Sequence, residues 1–379
     1  MEEGVALAMK SRKLKIAFLV VKNIARGGGI EKYTQELGRR LVERGHEVTV
    51  YSMGHYGEVA GEFMGMRVIP VSCIRKSSLE KLSASASAAF SLLISREEYD
   101  IVHCHSVAAG AFAPFIRLKG LKCILQMHGI EWQRNRWSFV GKNMLKFLER
   151  VSLAGNHACT AVSMTQCDFY RDNHGIQMRY IPTGAEIKPH HDAREILKMG
   201  LEPGRYIFFA SRLVREKGAH YLLEAFRQLK TDYRLVIAGD AKGEEVYKQE
   251  LQTLAGDDAR ILFPGFVEGR ALQELFSNAA VYVQPSEIEG LSIALLEAMS
   301  YGNCCLVSDI PENMEAIGQA GFTFQNKSVD GLRNELSRLL ASEELRSSVG
   351  DAARARVKEC YNWDRITDDF EDMYRGLVV

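Results

Sequence analysis

Four short segments of the chain carry the residues best suited to chemistry, and each follows a short apolar run. They are residues 26–31, 127–132, 211–218 and 287–299. Glycine backbone and helix-start amides bind anions, cations hold phosphates, and carboxylates accept hydrogen bonds from hydroxyls. The four segments together suit an elongated ligand that carries both phosphates and hydroxyls.

Three cations, Arg212, Arg215 and Lys217, stand in the third segment, between a predicted strand and a predicted helix. Cations at a helix N-terminus oppose the helix dipole, so an anion bound among them explains this placement better than stability does. A diphosphate is the anion that we expect there. A solvated charged loop is the alternative.

The fourth segment has the most specific pattern, E-x(7)-E, formed by Glu289 and Glu297. Glu289 precedes the predicted helix and Glu297 lies eight residues on, so at the rise of a helix they are about 12 Å apart along the axis. The amides of residues 290–293 are then helix-start donors that have no partner within the helix. One carboxylate at each end, with anion-binding amides between them, predicts a nucleotide sugar as ligand. The alternative for Glu297 is a side chain that faces solvent.

The first segment offers the backbone of Gly28 and Gly29 at the start of a predicted helix. It is not the dinucleotide fingerprint G-x-G-x-x-G, because Lys32 stands where the third glycine belongs and no acid follows the second strand. A nicotinamide cofactor is therefore not indicated. A permissive glycine turn without any ligand is the alternative.

Histidines mark the carboxyl ends of two predicted strands. His128 follows one strand and has Glu131 and Trp132 as neighbours, a placement that favours a site as much as a structural histidine. His103 and His105 lie two residues apart on another strand and share a face. No third ligand stands at a convincing spacing, so we do not predict a metal there.

The elements around these segments alternate between short strands and helices, which is typical of βαβ units in parallel sheets. One such helix is predicted over residues 108–119. The periodicity lapses around residues 182–201, between two sets of units. We therefore predict an α/β protein with two doubly wound, Rossmann-like domains, residues 14–185 and 195–360. Ligands of such sheets bind outside the carboxyl ends of the strands, where the four segments lie.

Composition limits the partners and the compartment. The 379 residues include 48 Lys and Arg and 48 Asp and Glu, so the net charge is zero and a nucleic-acid partner is not expected. Eight cysteines without a C-x-x-C pair indicate a reducing compartment, which we take to be the cytoplasm. No apolar run reaches the ~18 residues of a spanning helix, so membrane contact would be peripheral.

Residues 131–150 have the composition of a membrane-contact segment. They include five basic and two acidic side chains, with Trp132, Trp137 and Phe139 between them. Such a segment suits anionic lipid or a lipid-diphosphate acceptor at the inner face of the cytoplasmic membrane. A solvated helix face with buried aromatic side chains is the alternative.

The motifs together resemble the family-4 glycosyltransferases, which are retaining, use nucleotide sugars and have the GT-B fold. The resemblance covers nearly the whole chain. It rests on Glu31 in the glycine loop, on His128, on Arg212 with Lys217, on residues 265–267 and above all on the E-x(7)-E element. It implies two Rossmann-like domains that face each other across a cleft. It also implies a C-terminal helix, within residues 361–379, that crosses back to the N-terminal domain.

The same resemblance implies a role for each matching residue. Arg212 and Lys217 would hold the donor diphosphate and stabilise the departing nucleotide, Glu289 would contact the donor sugar, and His128 would lie near the reacting carbon. The implied donor-side residues are Gly28, Gly29, Gly265, Phe266, Val267, Gly290, Leu291, Ser292 and Glu297, the last of them on the ribose. The implied acceptor-side residues are Glu31, His105, Glu131 and Trp132. No metal or other cofactor is expected, since cations and helix-start amides take that role.

A longer element, H-G-x-E-W-x-R-x-x-W from His128 to Trp137, is similar to bacterial polysaccharide glycosyltransferases, among them rhamnosyltransferase-like proteins. It implies cell-envelope polysaccharide or glycolipid assembly, with a glycan or a lipid-linked acceptor. Two departures from the family pattern, at residues 182–186 and at Ser308 with Asp309, bear on the identity of the donor.

The expected activity is the retaining transfer of a sugar from a nucleoside-diphosphate sugar to an acceptor hydroxyl. Another GT-B activity, such as sugar-nucleotide epimerisation, and a catalytically silent nucleotide-sugar-binding subunit are the alternatives. Front-face attack and double displacement through Glu289 both remain open.

Overall fold

The computed structural model describes residues 12–25, 28–57, 60–76, 79–134, 137–241 and 244–378. Two compact units divide the chain. The first contains the described residues up to Thr183 together with Trp363 onwards, and the second contains Gly184–Asn362. Each unit is built on a single sheet, so each has its own strand edge at which a ligand can bind.

The first unit has an eight-stranded sheet in the order β3-β4-β2-β1-β5-β6-β7-β8, parallel except for the β3–β4 pair. The strands are β1 (Lys15–Val21), β2 (Glu47–Met53), β3 (Gly61–Phe63), β4 (Met66–Val71), β5 (Ile101–Cys104), β6 (Lys122–Met127), β7 (Ala158–Ala161) and β8 (Arg179–Tyr180). The helices are α1 (Gly29–Glu43), α2 (Glu80–Ile94), α3 (Val107–Gly110), α4 (Ala113–Arg117), α5 (Phe139–Gly155) and α6 (Met164–His174).

The second unit has a six-stranded parallel sheet in the order β11-β10-β9-β12-β13-β14. Its strands are β9 (Tyr206–Ala210), β10 (Arg234–Ala238), β11 (Ile261–Gly265), β12 (Val281–Gln284), β13 (Cys305–Ser308) and β14 (Phe322–Phe324). Its helices are α7 (Glu195–Lys198), α8 (Ala219–Arg227), α9 (Glu245–Ala255), α10 (Gly269–Ser277), α11 (Ile293–Tyr301), α12 (Pro311–Ile317), α13 (Val329–Leu340) and α14 (Glu343–Cys360).

Helices cover both faces of each sheet, which explains why the strands have continuous apolar runs. In β1 the six residues that follow Lys15 are all buried, and in β9 four of the five are. The prediction of two Rossmann-like α/β sheets is confirmed by this architecture.

The last helix, α15 (Trp363–Val378), returns to the first unit and packs against α1. Its side chains Trp363, Phe370 and Tyr374 are buried in the core formed by β1, α1 and β5. On its polar side, the Arg44 guanidinium contacts Asp368 at 2.5 Å and Glu371 at 2.9 Å. The returning segment is therefore an integral part of the first unit.

The prediction of one helix over residues 108–119 is wrong. Two short helices, α3 and α4, replace it, with a break at residues 111 and 112. Pro114 lies in the first turn of α4, where its missing N–H is tolerated. A continuous helix would place its ring against the carbonyl of Gly110, so the chain breaks there instead.

Candidate active site

The strand order locates the edge at which each sheet binds ligands. In a doubly wound sheet this is the point at which consecutive connections turn to opposite sides, since the loops separate there and leave a crevice. The point lies between β9 and β12 in the second unit and between β1 and β5 in the first. The relevant loops of the second unit are therefore residues 211–218, after β9, and residues 285–292, after β12.

An ion pair joins these two loops. The Lys217 ammonium lies 2.6 Å from Oε1 of Glu289, and only 12% and 7% of the two side chains are exposed. The Glu287 amide donates to the Glu216 carbonyl at 2.8 Å, so the backbones are joined as well. The structure thus brings together the cation and the carboxylate that the sequence placed 72 residues apart.

Gly218 permits this close approach. Its φ of 72° is left-handed, and a Cβ there would collide with the carbonyl of Pro285. Any other residue would push the 285–292 loop away from the loop that carries Lys217. Local sequence patterns do not reveal this constraint, because the partner loop is distant in the chain.

Arg212 and Arg215 differ in position from Lys217. Arg212 is exposed in the loop that follows β9. Arg215 is paired with Glu250 on α9 and lies over the Tyr247 ring, 5.3 Å from its centre. The structure therefore engages Arg215 outside the ion pair of Lys217 with Glu289.

A second carboxylate of the 285–292 loop, Glu287, was not singled out from the sequence. Its Oε1 accepts from the Tyr221 hydroxyl at 2.9 Å, and its Oε2 lies 2.8 Å from the Lys327 ammonium. These partners hold the pKa of Glu287 below its usual value, although burial acts to raise it. Glu287 thus remains ionised and anchors the loop beside Glu289.

The helix that follows Glu289 begins later than the E-x(7)-E pattern suggests. Ser292 is the N-cap of α11, and its Oγ accepts from the Leu295 amide. Gly290 and Leu291 therefore precede the helix, so the prediction that their amides are helix-start donors is wrong. A capping serine sets the boundary, because it satisfies a helix-start amide only from the N-cap position.

A buried polar network holds the N-cap in place. The Ser292 hydroxyl donates to Gln284 at 2.7 Å, and the Gln284 amide donates to Asn313 at 3.0 Å. Asn313 in turn donates to the Ser308 Oγ at 2.9 Å. Glu297 is half-buried within α11, Gly290 is buried, and Leu291 packs against the apolar core.

The segment predicted to contact the base ends β11. Gly265 is its last residue, and the Gly265 carbonyl accepts from the Gly239 amide at 2.8 Å. The Phe266 side chain is 60% exposed, whereas Val267 packs against the core of the unit. Phe266 therefore offers an open aromatic face beside β10, the strand next to β9.

In the first unit, the glycine loop is tied down by Glu31. Its Oε1 accepts from the Lys22 amide at 3.0 Å, which links the end of β1 to the first turn of α1. A Cβ on Gly28 would collide with this carboxylate. Gly28 is the N-cap of α1, and Gly29 is its exposed first residue. Arg26 and Gly27 lie outside the described residues.

A row of rings, buried except for the half-buried His128, lies at the carboxyl ends of β5 and β6. The ring centres of His103 and His105 are 4.5 Å apart, and those of His105 and His128 are 5.9 Å apart. Tyr33 of α1 lies against both, 5.6 Å from His105 and 4.7 Å from His128. Its hydroxyl, both His105 nitrogens and Nε2 of His128 are buried without a hydrogen-bond partner among the described residues.

These histidines are neutral. Burial lowers the pKa of His103 and of His128 to about 3, with a smaller contribution from Lys81 at His128, and lowers that of His105 well below its usual value. A neutral imidazole can donate or accept a hydrogen bond, and with so low a pKa it is a weak base. Tyr374 of α15 ends the row, with its hydroxyl 2.7 Å from Nδ1 of His103.

Trp132 and Glu131 lie in a short turn after His128. The Trp132 indole donates to Glu149 of α5 at 3.1 Å, and the Tyr170 hydroxyl donates to the same carboxylate at 2.8 Å. Glu131 lies 3.3 Å from Arg134. Trp132 is thus anchored to α5. Asn135 and Arg136, within the longer tryptophan motif, lie outside the described residues.

A charged cluster at the ends of β1, β2 and β4 was missed by sequence reasoning. Glu80, at the start of α2, accepts from the Tyr56 hydroxyl at 2.6 Å and lies 3.3 Å from the Lys22 ammonium. His55 lies between Glu80, at 3.0 Å, and Cys73, at 3.3 Å. The sequence does not indicate this cluster, because its members are far apart along the chain. Across the described part of the chain, no group of three or more His, Cys, Asp or Glu side chains is placed to hold a metal.

Two family models match the chain, and together they span most of it. Residues 27–188 match Glycosyltransferase Family 4, and residues 195–356 match Glycosyl transferases group 1. The chain therefore belongs to the family-4 glycosyltransferases and is a glycosyltransferase enzyme. The family that the sequence motifs indicated is therefore confirmed, whereas the similarity to rhamnosyltransferase-like proteins stays a prediction.

Named relatives agree with this class. The chain is 25% identical to N-acetyl-alpha-D-glucosaminyl L-malate synthase of Bacillus anthracis, over 97% of this chain and 98% of that protein. It is 27% identical to the UDP-Gal:alpha-D-GlcNAc-diphosphoundecaprenol alpha-1,3-galactosyltransferase of Escherichia coli, over 82% and 84%.

Solved structures share the fold. Sucrose-phosphate synthase of Thermosynechococcus elongatus superimposes with a TM-score of 0.83 at 20% identity, over 97% of this chain and 99% of that one. Anabaena HepE, solved with UDP and glucose, gives 0.81 at 18% identity, over 96% and 100%. The GT-B fold is thereby established.

Proposed function

We propose that the protein transfers a sugar from a nucleoside-diphosphate sugar to an acceptor hydroxyl, with retention of the anomeric configuration. The observation that carries this proposal is the nearly buried pair of Lys217 and Glu289 at the carboxyl edge of the second sheet. A cation held there suits a diphosphate, and a carboxylate beside it suits sugar hydroxyls.

In this proposal Lys217, assisted by Arg212, stabilises the negative charge that develops on the departing nucleoside diphosphate. Such stabilisation is often the largest single contribution to catalysis. When donor binds, the Lys217 ammonium turns from Glu289 toward the phosphates, and the Glu289 carboxylate is released to the sugar hydroxyls. Glu297 binds the ribose, and the segment from Gly265 to Val267 meets the base. No metal is required, because these cations provide the charge.

The first unit binds the acceptor in this proposal. His128, neutral and half-buried beside Tyr33, donates a hydrogen bond to a hydroxyl of the reacting sugar. Glu31, His105, Glu131 and Trp132 shape the acceptor side, Glu31 and Trp132 by fixing the loops that carry them.

The acceptor that we favour is a glycan or a lipid-linked glycan of cell-envelope polysaccharide or glycolipid assembly. The undecaprenol-diphosphate acceptor named for the Escherichia coli relative supports this class. The reaction then takes place in the cytoplasm, at the inner face of the membrane.

Calorimetric titration with UDP, GDP, dTDP and ADP, first without metal and then with it, identifies the nucleotide. Turnover with the matching sugar nucleotides follows, and NMR of the first-formed product gives its anomeric configuration. Selective, metal-independent binding and a retained anomer are the expected results. Binding without any turnover would favour a silent subunit, and an inverted anomer would overturn the retaining mechanism.

A further inference from the structure

An apolar surface covers one helical layer of the first unit. Helices α2, α3, α4 and α5 pack side by side on one face of the sheet. Nine of the 18 exposed large apolar side chains in the described part of the chain lie on this layer. They are Phe90, Leu93, Ile94, Phe115, Leu118, Phe139, Val140, Met144 and Phe147.

The layer is held together at its helix ends, so these side chains belong to one surface. The Arg117 guanidinium, at the end of α4, donates to the Gly155 carbonyl, at the end of α5, at 3.0 Å. The Lys119 ammonium donates to the Leu92 carbonyl in α2 at 2.9 Å. The exposed phenylalanines of three helices therefore lie on a single rigid layer.

The charge of this layer is one-sided. Its four helices contain five cations, Lys81, Arg117, Lys142, Lys146 and Arg150, and only two carboxylates. Both carboxylates, Glu80 and Glu149, are buried and hydrogen-bonded within the unit. The exposed charge that these four helices contribute is therefore positive, although the chain as a whole has no net charge.

Positive charge and exposed phenylalanine together indicate which partner binds this surface. A second copy docked by the same patch would place like charges against each other. An anionic bilayer interface accepts both features, because apolar side chains insert among the acyl chains and cations meet the headgroups. No helix of the described chain is long and apolar enough to cross a bilayer, so contact takes place from the surface.

We infer that the layer formed by α2, α4 and α5 is a docking surface for an anionic lipid bilayer. This inference rests on the proposed function, since an enzyme whose acceptor is anchored in the membrane must bind at the membrane surface. It extends beyond residues 131–150, because α2 and α4 contribute five of the nine apolar side chains and α5 begins only at Phe139.

Co-sedimentation of the full chain with vesicles tests the inference. We expect binding to equimolar phosphatidylcholine and phosphatidylglycerol, and little binding to phosphatidylcholine alone. Val140→Glu should weaken vesicle binding at least tenfold, because a carboxylate replaces an inserted side chain. Val246→Glu is the matched control. Both valines are the second residue of a helix, and they are 75% and 81% exposed.

Arg150→Gln provides a charge test at an exposed position. We expect about fivefold weaker binding to the anionic vesicles and a smaller loss of binding on addition of salt, because one headgroup contact is removed. Equal sedimentation with both vesicle types, or equal effects of Val140→Glu and Val246→Glu, would overturn the inference. A dimer that Val140→Glu dissociates would assign the surface to a second copy instead.

Nucleotide binding separates this inference from the proposed function. Val140→Glu should leave calorimetric nucleotide affinity unchanged, since the layer lies in the first unit and the proposed diphosphate cation in the second. If vesicle binding follows the prediction but no nucleoside diphosphate binds, the proposed function fails and the docking surface stands. If nucleotide binds and vesicles do not, the surface fails alone.

Discussion

The carboxyl edges of the two sheets differ in the charge of their side chains. The edge of the second unit contains ionised side chains in direct pairs, Lys217 with Glu289 and Lys327 with Glu287. The edge of the first unit, at β5 and β6, contains His105 and His128 as neutral rings, packed against tyrosine. This contrast supports the proposed division of roles, in which the charged leaving group binds at the second edge and an uncharged hydroxyl at the first.

The largest expected effect is on the charged edge. Lys217→Ala should lower kcat by about 10²–10³-fold, because it removes charge that stabilises the departing diphosphate. Steady-state kinetics with the donor identified by calorimetry measures this effect. Lys327→Ala is the control, since it removes a neighbouring Lys–Glu pair whose lysine is 55% exposed, and it should alter kcat less than about fivefold. Equal effects of the two substitutions would contradict the role of Lys217.

Gly218→Ala tests whether the close approach of the two loops matters. The added Cβ collides with the Pro285 carbonyl and also strains the backbone, which alone costs about 1–3 kcal/mol. We expect a lower thermal midpoint and weaker nucleotide binding. Gly204→Ala has nearly the same φ, 71°, but nothing within 4 Å of its Cβ. If Gly204→Ala weakens nucleotide binding as much, loop contact is not the cause.

Acid should destabilise the first unit, because its buried histidines are neutral in the folded state. Folded His103 and His128 have pKa values of about 3, whereas histidine in the unfolded chain titrates near 6.5. Between these values the unfolded chain binds more protons. The free energy of unfolding therefore falls as the pH drops below about 6.5, by up to about 1.4 kcal/mol per pH unit for each histidine.

Urea titrations followed by tryptophan fluorescence measure this effect in the first unit, because all three tryptophans lie there. His103→Phe should make the pH dependence shallower, whereas His190→Phe, at an exposed position, should leave it unchanged. A wild-type stability that is flat between pH 7 and pH 4 would show that the row is not held neutral.

The smallest expected effect concerns the hydrogen bond between Tyr374 and His103. Tyr374→Phe should lower the free energy of unfolding of the first unit by about 1 kcal/mol. A double-mutant cycle with His103→Phe isolates the pair, and a coupling energy near zero would mean that this bond does not help to hold α15.

Local patterns in the sequence predicted most of the strands, because a buried strand needs an uninterrupted apolar run whatever surrounds it, but they missed β3, β4 and β14. They also placed His128 and Lys217 after strands. The start of α11 was misplaced because the apolar spacing continues upstream of Ser292, and only the cap decides the boundary. The break before α4 was missed because the apolar spacing around Pro114 continues unbroken on both sides.

Contacts between distant segments were beyond such patterns. Glu287 is held by Tyr221 and Lys327, which are distant from it in the chain. Gly218 is required by its contact with Pro285, which is also distant. Tyr33 has the spacing of an ordinary core residue on α1. It contacts His105 and His128 because α1 packs against the ends of β5 and β6. These features follow from topology rather than from local composition.

Calorimetric titration of three proteins with the selected nucleoside diphosphate tests the central contrast most directly. We expect the wild-type protein and His128→Phe to bind it with similar affinity, and Lys217→Ala not to bind it measurably. Unimpaired binding by Lys217→Ala, or binding abolished by His128→Phe, would contradict the assignment of the phosphate to the edge of the second unit.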